Sequence, residues 1–110
     1  MNQEETVEAF VEAVNAFDVD RAVALFADQA VIDDESVGTA FRGTEGVRRY
    51  LASYFVGYHT KTTLVSVTRV GPQSLQAQVD FVGDFGHETG GLRFTFDGQG
   101  LVQSIDAHLD

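Results

Sequence analysis

Apolar residues recur at Val7, Phe10, Val11 and Val14, the i, i+3, i+4, i+7 spacing of a helix with one buried stripe. Glu4, Glu5, Glu8 and Glu12 take its N-terminal half and opposite face, where the helix dipole favours negative charge. Asn2, with Glu5 three residues on, predicts a capping box. A shorter second helix follows, with Asp18 as N-cap and Ala22, Val23, Leu25 and Phe26 as its apolar contacts, ending near Ala27-Asp28. "AVID", from Ala30, reads as a brief strand, and "DESVGTAFRG" as a loop with a short strand piece from Thr39 to Arg42. Thr44 is placed to cap a third helix, from about Glu45 to Tyr58, with Val47, Tyr50, Leu51, Tyr54 and Phe55 on its inner side.

After residue 59 the period changes from helical to alternating. "TKTTLVSVTRV" is rich in β-branched residues and runs into "GPQS", a turn built on the only proline. In "LQAQVDFVGDF", Leu75, Ala77, Val79 and Phe81 share one face, and Gln76, Gln78 and Asp80 the other. "GHETGG" reads as the next turn, "LRFTF" as a strand, "DGQG" as a hairpin turn and "LVQSIDAHLD" as the last strand. Helices grouped ahead of a strand meander imply an α+β fold with the helices on one face of the sheet. At 110 residues the chain has room for one domain with one modest core, spanning 1–110.

Composition narrows the function. The net charge of −10 repels nucleic acid and anionic lipid, and no basic patch beyond Arg48-Arg49 exists to contact phosphates. The absence of cysteine excludes disulfides, thiol catalysis and Cys-ligated zinc. His59, His87 and His108 lie far apart with no metal-ligand spacing, and "GHETGG" fits neither phosphate-loop nor dinucleotide patterns, so neither metal nor cofactor is expected. The acidic N-terminus lacks signal-peptide character and no apolar run approaches membrane-spanning length, so the expected location is cytoplasmic.

One acid stands out. In an alternating strand Ile32 and Asp34 share a face, while Asp33 and Glu35 take the other. If Ile32 points into the core, Asp34 sits at its rim or inside it, and Asp33 and Glu35 are surface acids. The bland alternative is that "DDES" is a solvated turn.

Three segments carry a likeness to a known family: "VEAVNAFDVDRAVALFADQAVIDDESVG", "FRGTEGVRRYL" and "FTFDGQGLVQSID". In order and spacing they resemble the SnoaL-like and ketosteroid-isomerase-like branch of the nuclear transport factor 2 (NTF2)-like superfamily. The resemblance implies a cone-shaped, curved antiparallel sheet packed on three N-terminal helices. It implies an apolar pocket for a hydrophobic small molecule, and homodimers formed through the outer face of the sheet.

In that family a proton-shuttling aspartate works beside a tyrosine and a protonated aspartate that stabilise an enolate. By resemblance the shuttle falls on Asp34, while the tyrosine position holds Phe10 and the second aspartate position holds Leu92. Losing one such donor costs on the order of 10²–10³ in turnover, so efficient steroid isomerisation by that mechanism is not expected. Tyr50 aligns with a pocket aromatic whose hydroxyl either partly replaces the missing donor or simply packs in the core. The implied pocket draws Phe10, Val14 and Phe26 from the helices, with Ile32 beside them. Phe81, Leu92, Phe94, Ile105 and Ala107 come from the later strands, and the large aromatics either line a cavity or fill it. Asp106 and His108 alternate with the apolar residues of the last strand and are expected outside, although some relatives carry a cavity acid there. Three functions remain open: a cofactor-independent proton-transfer enzyme, a hydrophobic-ligand-binding module, and a dimerisation module with a filled interior.

Overall fold

The computed structural model describes residues 1–110. Helix α1 spans Gln3–Asn15 and α2 Val19–Val23; strands β1 (Phe26–Asp34) and β2 (Thr39–Arg42) form a hairpin. Helix α3 (Gly43–Leu51) runs into a π-helical turn, Ala52–Val56. Strands β3 (Lys61–Gly71), β4 (Ser74–Gly83), β5 (Gly86–Phe96) and β6 (Val102–Leu109) complete the chain. The sheet order is β2-β1-β6-β5-β4-β3. Every neighbouring pair is antiparallel except β1 and β6, which run parallel. The expected all-antiparallel sheet is therefore corrected at one junction. A strand arriving after α2 pairs with one some seventy residues later, a partnership no local pattern encodes.

The capping box at the start of α1 is present. Asn2 Oδ1 accepts from Glu5 N at 2.8 Å, and Glu5 Oε1 accepts from Asn2 N at 2.9 Å. Asn2→Ala should therefore lower the unfolding free energy by about 1 kcal/mol, read as a fall in urea midpoint at unchanged slope. Asp18 caps α2 through Arg21 N, as expected.

Four expectations are corrected. Helix α2 stops at Val23, and Phe26 opens β1 by pairing with Val102. Thr44 does not cap α3: Gly43, at φ 72°, turns the chain out of β2 into the helix, so Thr44 lies inside the first turn. The third helix does not run regularly to Tyr58, because Gly57 N bonds back five residues to Ala52 O and Thr60 N to Phe55 O. "GHETGG" is not a turn but the first half of β5. A Cβ on Gly90 would strike the His108 carbonyl, and one on Gly91 the His108 ring and Gln76. Gly90 thus serves close strand approach, and Gly91 leaves room for side chains of the neighbouring strands.

The inner face of β4 alternates as read: Leu75, Ala77 and Val79 are fully buried. Phe10 sits at the centre of the core, edge-on to Phe26, Phe55 and Phe94 at centroid separations of 5.9, 6.2 and 5.4 Å. No helix is long and apolar enough to cross a membrane.

Candidate functional site

Between the end of β1, the π-turn and the far ends of β4, β5 and β6 lies a cavity of about 280 Å³. Its wall is aromatic: Tyr50 comes from α3, Tyr54 and Phe55 from the π-turn, Tyr58 from just beyond it, Phe81 from β4 and Phe85 from the β4–β5 turn. Asp34, Ser36, Val37, Thr60, Glu88 and Leu109 complete the wall.

Asp34 is where strand parity puts it, buried at 8% exposure, while Asp33 and Glu35 are exposed. It pairs with Thr39 on β2 and Ala107 on β6, so hydrogen-bonded backbone flanks it on both sides. Its carboxylate divides two tasks. Oδ1 accepts from Ser36 N at 2.9 Å and Ser36 Oγ at 2.7 Å, which holds the β1–β2 turn. Oδ2 accepts from the Tyr50 hydroxyl at 2.5 Å. A carboxylate offers about four acceptor positions, so one on Oδ2 is left for a ligand.

Tyr50 is itself 5% exposed. Burial pushes its phenol well above the ordinary value of 10.0; the Asp34 charge, the hydrogen bond to Asp34 and the neighbouring Tyr54 add to the shift. Tyr50 is thus a permanent donor to Asp34. Because the folded state holds this proton more tightly, its stability is complete below pH 10 and falls as pH rises further. The loss should deepen steadily as the pH is raised past that value. Urea unfolding across this range checks it, with Tyr50→Phe expected to lack this part of the alkaline loss.

Of the residues expected to line a pocket, Asp34, Tyr50 and Phe81 are on the cavity wall. Phe10, Val14, Phe26, Ile32, Leu92, Phe94, Ile105 and Ala107 are buried away from that wall, in the hydrophobic core. Edge-to-face rings around Phe10 fill the interior there, and the cavity opens beyond Phe55. Asp106 is exposed and pairs across the outer face with Arg93, so it is no cavity acid. His108 is also outside, 3.7 Å from the Asp110 carboxylate. His87, expected in a turn, faces out from β5 toward Asp80, and no cluster of metal-ligating residues forms.

Sequence reasoning missed Glu88, which faces inward opposite Phe81. It also missed the π-turn that presents Tyr54 and Phe55, a feature common at functional sites.

A curved sheet, three helical segments and an aromatic cavity with a buried carboxylate define an NTF2-like pocket protein. The chain belongs to the SnoaL-like domain family, whose model matches residues 7–105. Comparison with curated proteins gives no match. Among solved structures, the epoxide hydrolase/cyclase-like enzyme SalBIII, of pyran ring formation in the polyether salinomycin, is similar at TM-score 0.87 and 19% identity. That match covers 98% of this chain and 90% of the other. Rv0760c from Mycobacterium tuberculosis, in complex with estradiol-17beta-hemisuccinate, has TM-score 0.84 and 18% identity, covering 97% and 93%. An NTF2-like protein of unknown function from Cytophaga hutchinsonii has TM-score 0.83 and 13% identity, covering 100% and 91%. At these identities the likeness establishes the fold.

Proposed function

We propose that the protein is a cofactor-independent proton-transfer enzyme, of isomerase or cyclase type, acting on a small hydrophobic molecule with Asp34 as the acid–base group. The observation that carries this reading is the Asp34 carboxylate: nearly buried, held by three hydrogen bonds, and on the wall of an aromatic cavity. Fixed orientation suits a general base, which must meet its proton at hydrogen-bond distance. The cavity volume falls just below the ~300 Å³ lower end for drug-sized ligands, so a molecule of one or two rings is enclosed and a larger one projects through the mouth. The SalBIII likeness adds an enzymatic precedent on this fold, and the Rv0760c complex a ligand-bound one.

The test is hydrogen–deuterium exchange. In D2O the protein should speed exchange of the α-protons of 1-tetralone, a two-ring ketone, above the buffer rate, and Asp34→Asn should abolish this while binding persists. Ketone binding with exchange no faster than in buffer would remove the acid–base role.

A second reading, ligand binding without turnover, is favoured by one observation. The Tyr50 hydroxyl is committed to Asp34, and Phe10 and Leu92 lie in the core, so the donors that stabilise an enolate in the isomerases have no counterpart at those positions.

A further inference from the structure

We infer that the cavity selects a small apolar amine in its protonated form over neutral and anionic analogues of the same size; this rests on the reading of the cavity as a ligand pocket. The wall carries two carboxylates, Asp34 and Glu88, and no lysine, arginine or histidine. Neither acid is neutralised by a basic side chain, since none of the protein's ion pairs includes Asp34 or Glu88. Arg49, next to Tyr50 in the chain, lies over the Phe41 ring instead and is not on the wall.

The rest of the wall favours the same charge. Six aromatic side chains line the cavity, and the face of each ring carries the negative end of its quadrupole. Tyr50, Tyr54, Tyr58 and Phe85 form a continuous file, neighbouring centroids standing 5.2, 5.9 and 6.0 Å apart. An alkylammonium that meets the face of one of these rings gains cation–π attraction, and more so when desolvated.

The hydrogen-bond inventory agrees. Oδ2 of Asp34 has a free acceptor position and the Tyr50 donor is taken, so the Asp34 end of the cavity asks its ligand for a donor, while the Tyr54 and Tyr58 hydroxyls line the wall elsewhere. An ammonium supplies up to three N–H groups, whereas a carboxylate supplies none and would meet two like charges. Glu88 is exposed at the mouth, where it draws in a cation, and the net charge of −10 acts in the same sense at longer range. An enclosed apolar body with its ammonium at Asp34, drawn in past Glu88 at the mouth, satisfies these groups together.

The experiment compares three two-ring probes at pH 7 by calorimetry: 1-naphthylmethylamine, 1-naphthalenemethanol and 1-naphthoate. The amine should bind about tenfold or more tightly than the alcohol, and the naphthoate more weakly than both. The amine-to-alcohol ratio should fall in Glu88→Gln, a change at the exposed mouth, and fall further in Asp34→Asn. It should also shrink with added salt in the unaltered protein, a readout independent of any variant. Alcohol binding equal to or tighter than amine binding overturns the inference and leaves the pocket reading standing. No binding by any of the three overturns both.

Discussion

Phe10→Ala is expected to lower the unfolding free energy by about 3–5 kcal/mol, a large part of the ~5–15 kcal/mol that holds a domain of this kind together. Phe10 is 1% exposed and is the one ring that touches Phe26, Phe55 and Phe94, each edge-to-face. Those partners belong to β1, the π-turn and β5, so one side chain joins α1 to three separate parts of the cone. Truncation leaves a hole that the neighbours fill only by giving up their own ring contacts, so both transfer and cavity costs apply. Val82→Ala is the comparison: Val82 is 53% exposed and its truncation should change stability by no more than about 0.5 kcal/mol. Urea denaturation of both variants decides the matter. A Phe10→Ala cost below about 1 kcal/mol would show that the ring cluster around Phe10 is not a packed keystone.

The same residue separates what local pattern reveals from what it hides. Phe10 was legible as a core position, because its helical spacing with Val7 and Val14 fixes which face is buried. Whether its ring lines a cavity or closes one was not, because that depends on three partners distant in sequence. Asp34 was legible for the complementary reason: strand parity needs only Ile32 next door. The π-turn was hidden because the single extra residue between Leu51 and Gly57 leaves no mark in composition. Glu88 was hidden by its glycines. "GHETGG" carries the residues of a turn, yet extending the alternation back from Leu92 through Gly90 would have placed Glu88 on the inner face. Glycine signals backbone freedom, yet here it is the missing Cβ of Gly90 that lets β5 and β6 approach closely.

Asp34→Asn is the substitution with the largest expected effect on chemistry. A positioned general base contributes ~10²–10⁴-fold, so exchange at the α-carbon of bound 1-tetralone should fall by about that factor. The change is informative because the surrounding bonds can survive it. Asn Oδ1 can still accept from Ser36 N and Oγ, keeping the turn, while Asn Nδ2 can donate to Tyr50 Oη, which changes from donor to acceptor. What disappears is the basic lone pair on Oδ2. Fold and pocket shape should therefore persist, and the ketone's Kd, read by tyrosine fluorescence, should stay within about threefold, a difference worth less than 1 kcal/mol. If affinity and exchange fall together, Asp34 is a binding contact and not the base. If exchange persists at the original rate, the proton leaves to another group, and the orientation of Asp34 serves only the β1–β2 turn. Loss of exchange at retained affinity separates the acid–base role from both alternatives.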